Sequence, residues 1–305
     1  QQTGITLGLF MGFTAANTMF STSVMQMTNA ISLLIAMKPM LRDAGGSLAV
    51  PSERDTWTLP LSGLNGDITL SHVSFGYKGT KRNVLNDISI RIRKGEYIGI
   101  AGHSGCGKTT LLRLLLGFEQ PTDGQIYYDG VPMNRLPMSG LRRRMGAVLQ
   151  DGGLVSGSIM DNITITKPDA TREEVDAALT ATGLKDEVDA MPMGVMTHVS
   201  EEALTISGGQ KQRILIARAI VGLPKILLFD EATSSLDNIS QEKISTALSG
   251  LDATRIVVAH RLSTLRLCDR ILVMDQGRIA EQGTYEELME RKGRFYEMVK
   301  IQQAV

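Results

Sequence analysis

The run Gly102-His103-Ser104-Gly105-Cys106-Gly107-Lys108-Thr109 fits the pattern G-x-x-x-x-G-K-[ST]. A short apolar segment, Tyr97 to Ala101, leads into it and reads as a buried strand. A helical pattern, Thr110 to Phe118, leads out. Strand, glycine loop and helix in that order make a phosphate cradle. Glycines let backbone N–H groups turn inward around phosphate oxygens, and the helix start adds its positive dipole end. Lys108 is expected to reach the β- and γ-phosphates, and the Thr109 hydroxyl to bind Mg²⁺. Cys106 lies near a lysine and a helix N-terminus, both of which favour thiolate, so a reactive thiol is expected there.

Outward from the loop, Ile226 to Phe229 is an apolar run that ends in Asp230-Glu231. Open α/β sheets hold ligands at strand ends. Asp230 is placed to support a Mg²⁺ shell, and Glu231 to polarise an attacking water. Ile68–Phe75 and Ile88–Ile92 alternate as strands, and Arg255–Ala259 reads as another buried parallel strand. Ala170–Thr182 is a helix pattern opened by the cap Thr171 with Glu174 three residues on. Strands interleaved with helices predict a mainly parallel sheet covered on both faces.

Lys+Arg and Asp+Glu are both 32, so no global basic field invites nucleic acid. Cys106 and Cys268 are far apart and show no metal-ligand spacing, which fits a reduced compartment. Charge is distributed unevenly: Gln1 to Met37 carries none, and Lys38 is the first. A basic start and a small-residue cleavage site, the marks of a signal peptide, are not evident. A helix from Ile5 to Met37 would span ~50 Å at ~1.5 Å per residue, more than a bilayer core. Thr14, Thr18, Ser21, Thr28 and Ser32 recur on one face. That stripe suits a helix lining a cavity in a membrane bundle. Gly45-Gly46, Pro51 and Pro60 read as a linker. The expected division is 1–47 as the end of a transmembrane domain, 48–67 as linker and 68–305 as a globular α/β domain.

Three further signals specify a family. Ser207-Gly208-Gly209-Gln210 opens a helix, Gln210 to Val221, about twenty residues before the acidic pair. His260 follows the strand Arg255–Ala259, and Ser234-Ser235-Leu236-Asp237 and Gln150 stand in matching order. From Ile68 to its end the chain resembles the nucleotide-binding domain of ABC transporters. The resemblance implies a P-loop NTPase fold: a RecA-like core, an antiparallel β subdomain and an α-helical subdomain over about 150–221. It assigns Ser207–Gln210 to the signature motif, Gln150 to the Q-loop, Asp237 to the D-loop, His260 to the switch histidine and Tyr77 to the aromatic stacked on adenine. Gly102, Ser104, Gly105, Cys106, Gly107, Lys108, Thr109 and Thr110 would hold ATP. Thr109, Gln150 and Asp230 would hold Mg²⁺, and Glu231, His260, Gln150 and Lys108 would serve hydrolysis. The partner implied is a second such domain, paired head to tail so that each ATP sits between one phosphate loop and the other chain's signature motif.

The subtype resembles exporters, through Leu154–Ile159, Asp161-Asn162-Ile163 and the loop Thr197–Glu201. Leu114–Glu119, Tyr127–Gly130 and Met191–Gly194 are similar to bacterial exporters of the NHLM type. That likeness implies a transmembrane domain in the bacterial inner membrane, the ATPase on the cytoplasmic side and a bacteriocin-like peptide as cargo. Two departures lie after the Q-loop: Gly152-Gly153 where proline is common, and Val155 for phenylalanine. A soluble ABC-type ATPase acting as a mechanical switch is the alternative, and the uncharged N-terminal segment argues against it.

Overall fold

The computed structural model describes residues 6–48, 63–80, 82–199, 206–231, 238–259 and 261–303. It divides into two units, Gln1–Arg54 and Asp55–Val305. The first is a single helix, Leu7–Leu48, that runs on through Pro39 and through the Gly45-Gly46 pair expected to begin the linker. Over Leu7–Arg42 it is long and apolar enough, by length and composition, to cross a membrane. Thr14, Thr18, Thr28 and Ser32 on its polar face all bond back to carbonyls of the same helix. Thr18 donates to the Thr14 carbonyl at 2.8 Å, Thr28 to Val24 at 3.0 Å and Ser32 to Thr28 at 2.9 Å. Such back-bonding hides hydroxyls from an apolar surrounding, so the stripe does not by itself require an aqueous cavity.

The second unit is built on a six-stranded sheet. From one edge its strands are Arg278–Gly283, Arg270–Asp275, Tyr97–Gly102, Thr254–Val258, Ile226–Asp230 and Met145–Val148. All neighbours are parallel except the edge pair Arg270–Asp275 and Arg278–Gly283. The strands alternate between two cores. Leu227, Phe229, Val257, Ile271 and Val273 pack on one face with the helical subdomain, while Ile226, Leu228, Ile256, Val258 and Leu272 pack on the other. Both faces are apolar because both are covered, as a parallel sheet requires.

The second face is covered by the helix Lys108–Leu115 and by an antiparallel sheet. That sheet orders its strands as Leu85–Ile92, Ile68–Phe75, Asp123–Tyr128 and Val131–Pro132. Between the strands Met145–Val148 and Ile226–Asp230 the chain leaves the sheet to form the helical subdomain. Its helices are Ile159–Thr164, Arg172–Ala181, Lys185–Asp189 and Gly208–Ile220. Three of them start with a reciprocal capping box: Ser158 with Asp161, Thr171 with Glu174, and Ser207 with Gln210. The expected P-loop NTPase architecture, with its three parts, is present.

Candidate functional site

The strand Tyr97–Gly102 delivers the chain to the phosphate loop, and the helix Lys108–Leu115 carries it away. Two glycines are required by the loop's path. Gly107 has φ 105°, and a Cβ there would stand 2.7 Å from Leu85. Gly102 lies against the carbonyl of Met274, which a Cβ would approach to 2.5 Å. Lys108 is buried, and its Nζ donates to the carbonyls of Gly102 at 2.8 Å and His103 at 3.0 Å. The ammonium is thereby bent back over the loop it closes. Its only partners among the described residues are neutral oxygens, so an anion in the loop gains an unneutralised charge.

Asp230 ends the strand Ile226–Asp230, pairing in parallel with Val258. It is 2% exposed, and neither carboxylate oxygen has a hydrogen-bond partner among the described residues. Burial pushes its carboxyl above the usual carboxylate range. The nearby Thr109 hydroxyl partly offsets this without reaching good hydrogen-bond geometry, and the charge of Glu231 adds to it. Glu231 follows in the left-handed region at φ 54°, unusual for a residue with a side chain, and its N–H donates to the Val258 carbonyl at 3.1 Å. The strand thus ends in a sharp turn at the second carboxylate residue.

Tyr77 is half-buried. Its ring packs edge-on against Phe75, and its hydroxyl lies 3.3 Å from that of Thr110, on the phosphate-loop helix. Gln150 is exposed just past the strand Met145–Val148, and Ser104 and Gly105 are exposed in the loop. The structure therefore brings Tyr77, Lys108, Thr109, Thr110 and Asp230 together around one loop. Ser207, Gly208, Gly209 and Gln210 form the start of the helix Gly208–Ile220, in the helical subdomain. Ser207 Oγ accepts from the Gln210 N–H at 3.1 Å, and Gln210 Oε1 accepts from the Ser207 N–H at 2.9 Å. Gln210 and Arg213 are both tied to Glu187. His260, Asp237 with the rest of Ser234–Leu236, and the end of the loop Thr197–Glu201 lie outside the described residues.

Cys106 differs from expectation. It is buried, and burial pushes its thiol above the ordinary range; the Lys108 charge and the loop's N–H groups offset this only in part. Desolvation outweighs the lysine and the helix start. Sequence reading also missed the polar ties behind the site. Gln241 donates to the Thr264 hydroxyl at 2.7 Å and accepts from Arg261 at 2.8 Å, joining the two segments on either side of the sheet's acidic end. No spacing rule reports such a pair, because its members are distant in sequence.

The fold and the loop define a phosphate-loop nucleotide-binding domain. Residues 85–234 match the model of the family described as ABC transporter. Over 261 residues the chain is 43% identical to the exotoxin translocation ATP-binding protein PaxB of Pasteurella aerogenes, covering 85% of this chain and 37% of that protein. It is 38% identical over 300 residues to an ATP-dependent lipid A-core flippase of Neisseria meningitidis, covering 97% of this chain and 48% of the flippase. A solved bacterial Atm1-family ABC exporter with ATP bound superposes with a TM-score of 0.80 at 38% identity, covering 88% of this chain and 47% of that one. The chain spans less than half the length of these relatives. It carries an ABC transporter ATP-binding domain of the exporter type.

Proposed function

We propose that this chain binds ATP with Mg²⁺ at the Lys108 loop and hydrolyses it in a pair of such domains, driving export across the bacterial inner membrane. One observation carries the reading most: a buried carboxylate, Asp230, with no hydrogen-bond partner among the described residues, beside Thr109 and Lys108. Oxygen donors of this kind fit Mg²⁺, with Thr109, Asp230 and Gln150 as its protein side. Those residues would hold the metal, which when bound would supply positive charge against the phosphates.

The chain's own residues divide the remaining work. Loop N–H groups and Lys108 hold the phosphates, and Tyr77 stacks on the base. Glu231 orients and polarises the attacking water, and His260 stands with the γ-phosphate. Ser207 to Gln210 face the partner's nucleotide with a hydroxyl, glycine N–H groups and a helix start, an anion site by construction. The helix Leu7–Leu48 is the last membrane helix of a transmembrane domain, with 48–67 as the link to the ATPase at 68–305.

For cargo we propose a ribosomally made peptide of the bacteriocin class. The exotoxin and alpha-hemolysin translocation ATP-binding proteins among the relatives favour a toxin-like cargo over a lipid. A lipid cargo is the second reading, favoured by the flippase match that extends over 97% of the chain. Glu231→Gln tests the ATPase: it keeps the shape and removes the base, so ATP binding should persist while steady-state turnover disappears. Near-normal turnover would defeat the assignment. For cargo, the full transporter in vesicles should show ATPase stimulation by a leader-bearing bacteriocin precursor and none by lipid A; the reverse result selects the lipid reading.

A further inference from the structure

The segment that leaves Gln150 and the helix Gly208–Ile220 meet at a buried polar knot. Arg218 Nε donates to the Asn162 carbonyl at 2.8 Å, one Nη to the Gly153 carbonyl at 3.0 Å and the other to Asn162 Oδ1 at 2.7 Å. Asn162 is fully buried. Its Oδ1 also accepts from the Val155 N–H at 2.9 Å, and its Nδ2 donates to the carbonyls of Val155 at 2.9 Å and Ser158 at 3.0 Å. One amide side chain thus satisfies both backbone groups of Val155, as a neighbouring strand would. Among the described residues, the guanidinium bonds only neutral oxygens, so the contact neutralises no charge. What a half-buried guanidinium supplies there is direction: its planar fork fixes three acceptors at once.

The positions of the two ends matter. Gly153 and Val155 lie just beyond Gln150, and Arg218 lies on the same helix that Ser207 caps. From Ser207 to Arg218 the helix is a rod of ~16 Å, at ~1.5 Å per residue. We propose that Arg218 and Asn162 are positioning residues that make the Gln150 segment and the Ser207 helix one body, so that nucleotide engaged at Gln150 in one chain sets where Ser207 stands for the partner's nucleotide. The inference rests on the roles given to Gln150 and Ser207 under Proposed function. It adds the physical link between them, which neither motif contains.

Two variants of the full chain test it. Arg218→Lys replaces the fork by a point charge that reaches one acceptor. Asn162→Asp keeps the oxygen that Arg218 bonds, and adds a charge to it, but loses both donors to Val155 and Ser158. Amide exchange is followed with and without ATP, in a Glu231→Gln background and at a dilution where the chain is monomeric. In the parent, ATP should slow exchange over both 152–158 and 208–213. In the variants, ATP affinity should be unchanged and 152–158 should still respond, while 208–213 no longer does. With Glu231 intact, turnover should fall by up to roughly a hundredfold, the scale of a ~1 Å misplacement caused away from the chemistry. A merely structural contact would lower the melting temperature and reduce turnover only with the folded fraction; that outcome overturns the proposal. So does a parent in which 208–213 ignores ATP, a measurement that stands even if neither variant folds. The underlying reading fails separately, by normal turnover in Glu231→Gln alone.

Discussion

Asp230 shows what the site costs the fold. A carboxylate 2% exposed and without a hydrogen-bond partner among the described residues is an unfavourable burial, and its raised pKa records that. The sign of the pH dependence follows. With the folded pKa above the unfolded one, the folded domain holds the extra proton between the two values. This contribution to stability is present at low pH and is lost as pH rises from the ordinary carboxylate range through the raised folded value. Asp230→Asn removes the charge at nearly constant shape. The nucleotide-free variant should melt higher at neutral pH, by roughly 2–4 °C for each kcal/mol regained in a domain of this size. Its melting temperature should lose the parent's decline across that pH window. Mg²⁺-dependent turnover should vanish at the same time. A variant that melts lower, or one that keeps turnover, would contradict the assignment. Glu231 adds a second local cost: its left-handed backbone at φ 54° is held at the end of the same strand.

At the scale of elements, the helix Gly208–Ile220 separates a local role of its first residues from a ligand role. Ser207 and Gln210 satisfy each other's backbone N–H groups without any nucleotide. Ser207→Ala should therefore cost about 1 kcal/mol through the lost cap alone. Ser207→Asp keeps a good cap and should melt like the parent, yet it sets a carboxylate where the partner's γ-phosphate is proposed to lie, so turnover should fall as far as in the alanine variant or further. Melting and ATPase assays on the two variants read the roles apart; full turnover in Ser207→Asp would exclude a ligand role. The elements that sequence reading located are those with local signals. The apolar run Ile226–Phe229, the alternation at Ile68–Phe75, the cap at Thr171 and the glycine loop each announce themselves within a few residues. The edge hairpin Arg270–Asp275 and Arg278–Gly283 went unread. Its turn is Gln276-Gly277, with both residues at positive φ, 46° and 77°, and glutamine is a weak advertisement for such a turn. The C-terminal helices Tyr285–Arg291 and Arg294–Gln303 were likewise unread. So were the knots at Arg218 and Gln241, because long-range polar pairing leaves no periodic trace. The frame of the candidate site was legible wherever a motif maps to backbone geometry, as in the strand, loop and helix around Lys108 and the strand end at Asp230. It was misread at Cys106, where burial, a tertiary quantity, decides the chemistry.

At the scale of the molecule, the proposed function divides the work between two places in the chain. Lys108, Thr109, Asp230 and Tyr77 gather at one loop, while Ser207–Gln210 open a helix of another subdomain and are proposed to complete the site of a partner. In the proposed pairing a single chain has an open cradle that water enters, without half of its γ-phosphate donors. A dimer held mainly by nucleotide obeys mass action, so specific activity should rise with protein concentration until dimers saturate. Mixing two inactive variants sharpens the test. Lys108→Ala loses phosphate binding in its own chain, and Ser207→Arg blocks the site it would complete in its partner. In a mixed dimer one site carries both lesions and the other carries neither. If chains pair at random and sites act independently, the mixture should recover roughly a quarter of the parent activity. Coupling between the sites would make the recovery smaller, but either value exceeds that of each variant alone. Specific activity that stays flat across a wide dilution series, in a protein shown to be monomeric throughout, would overturn the split site.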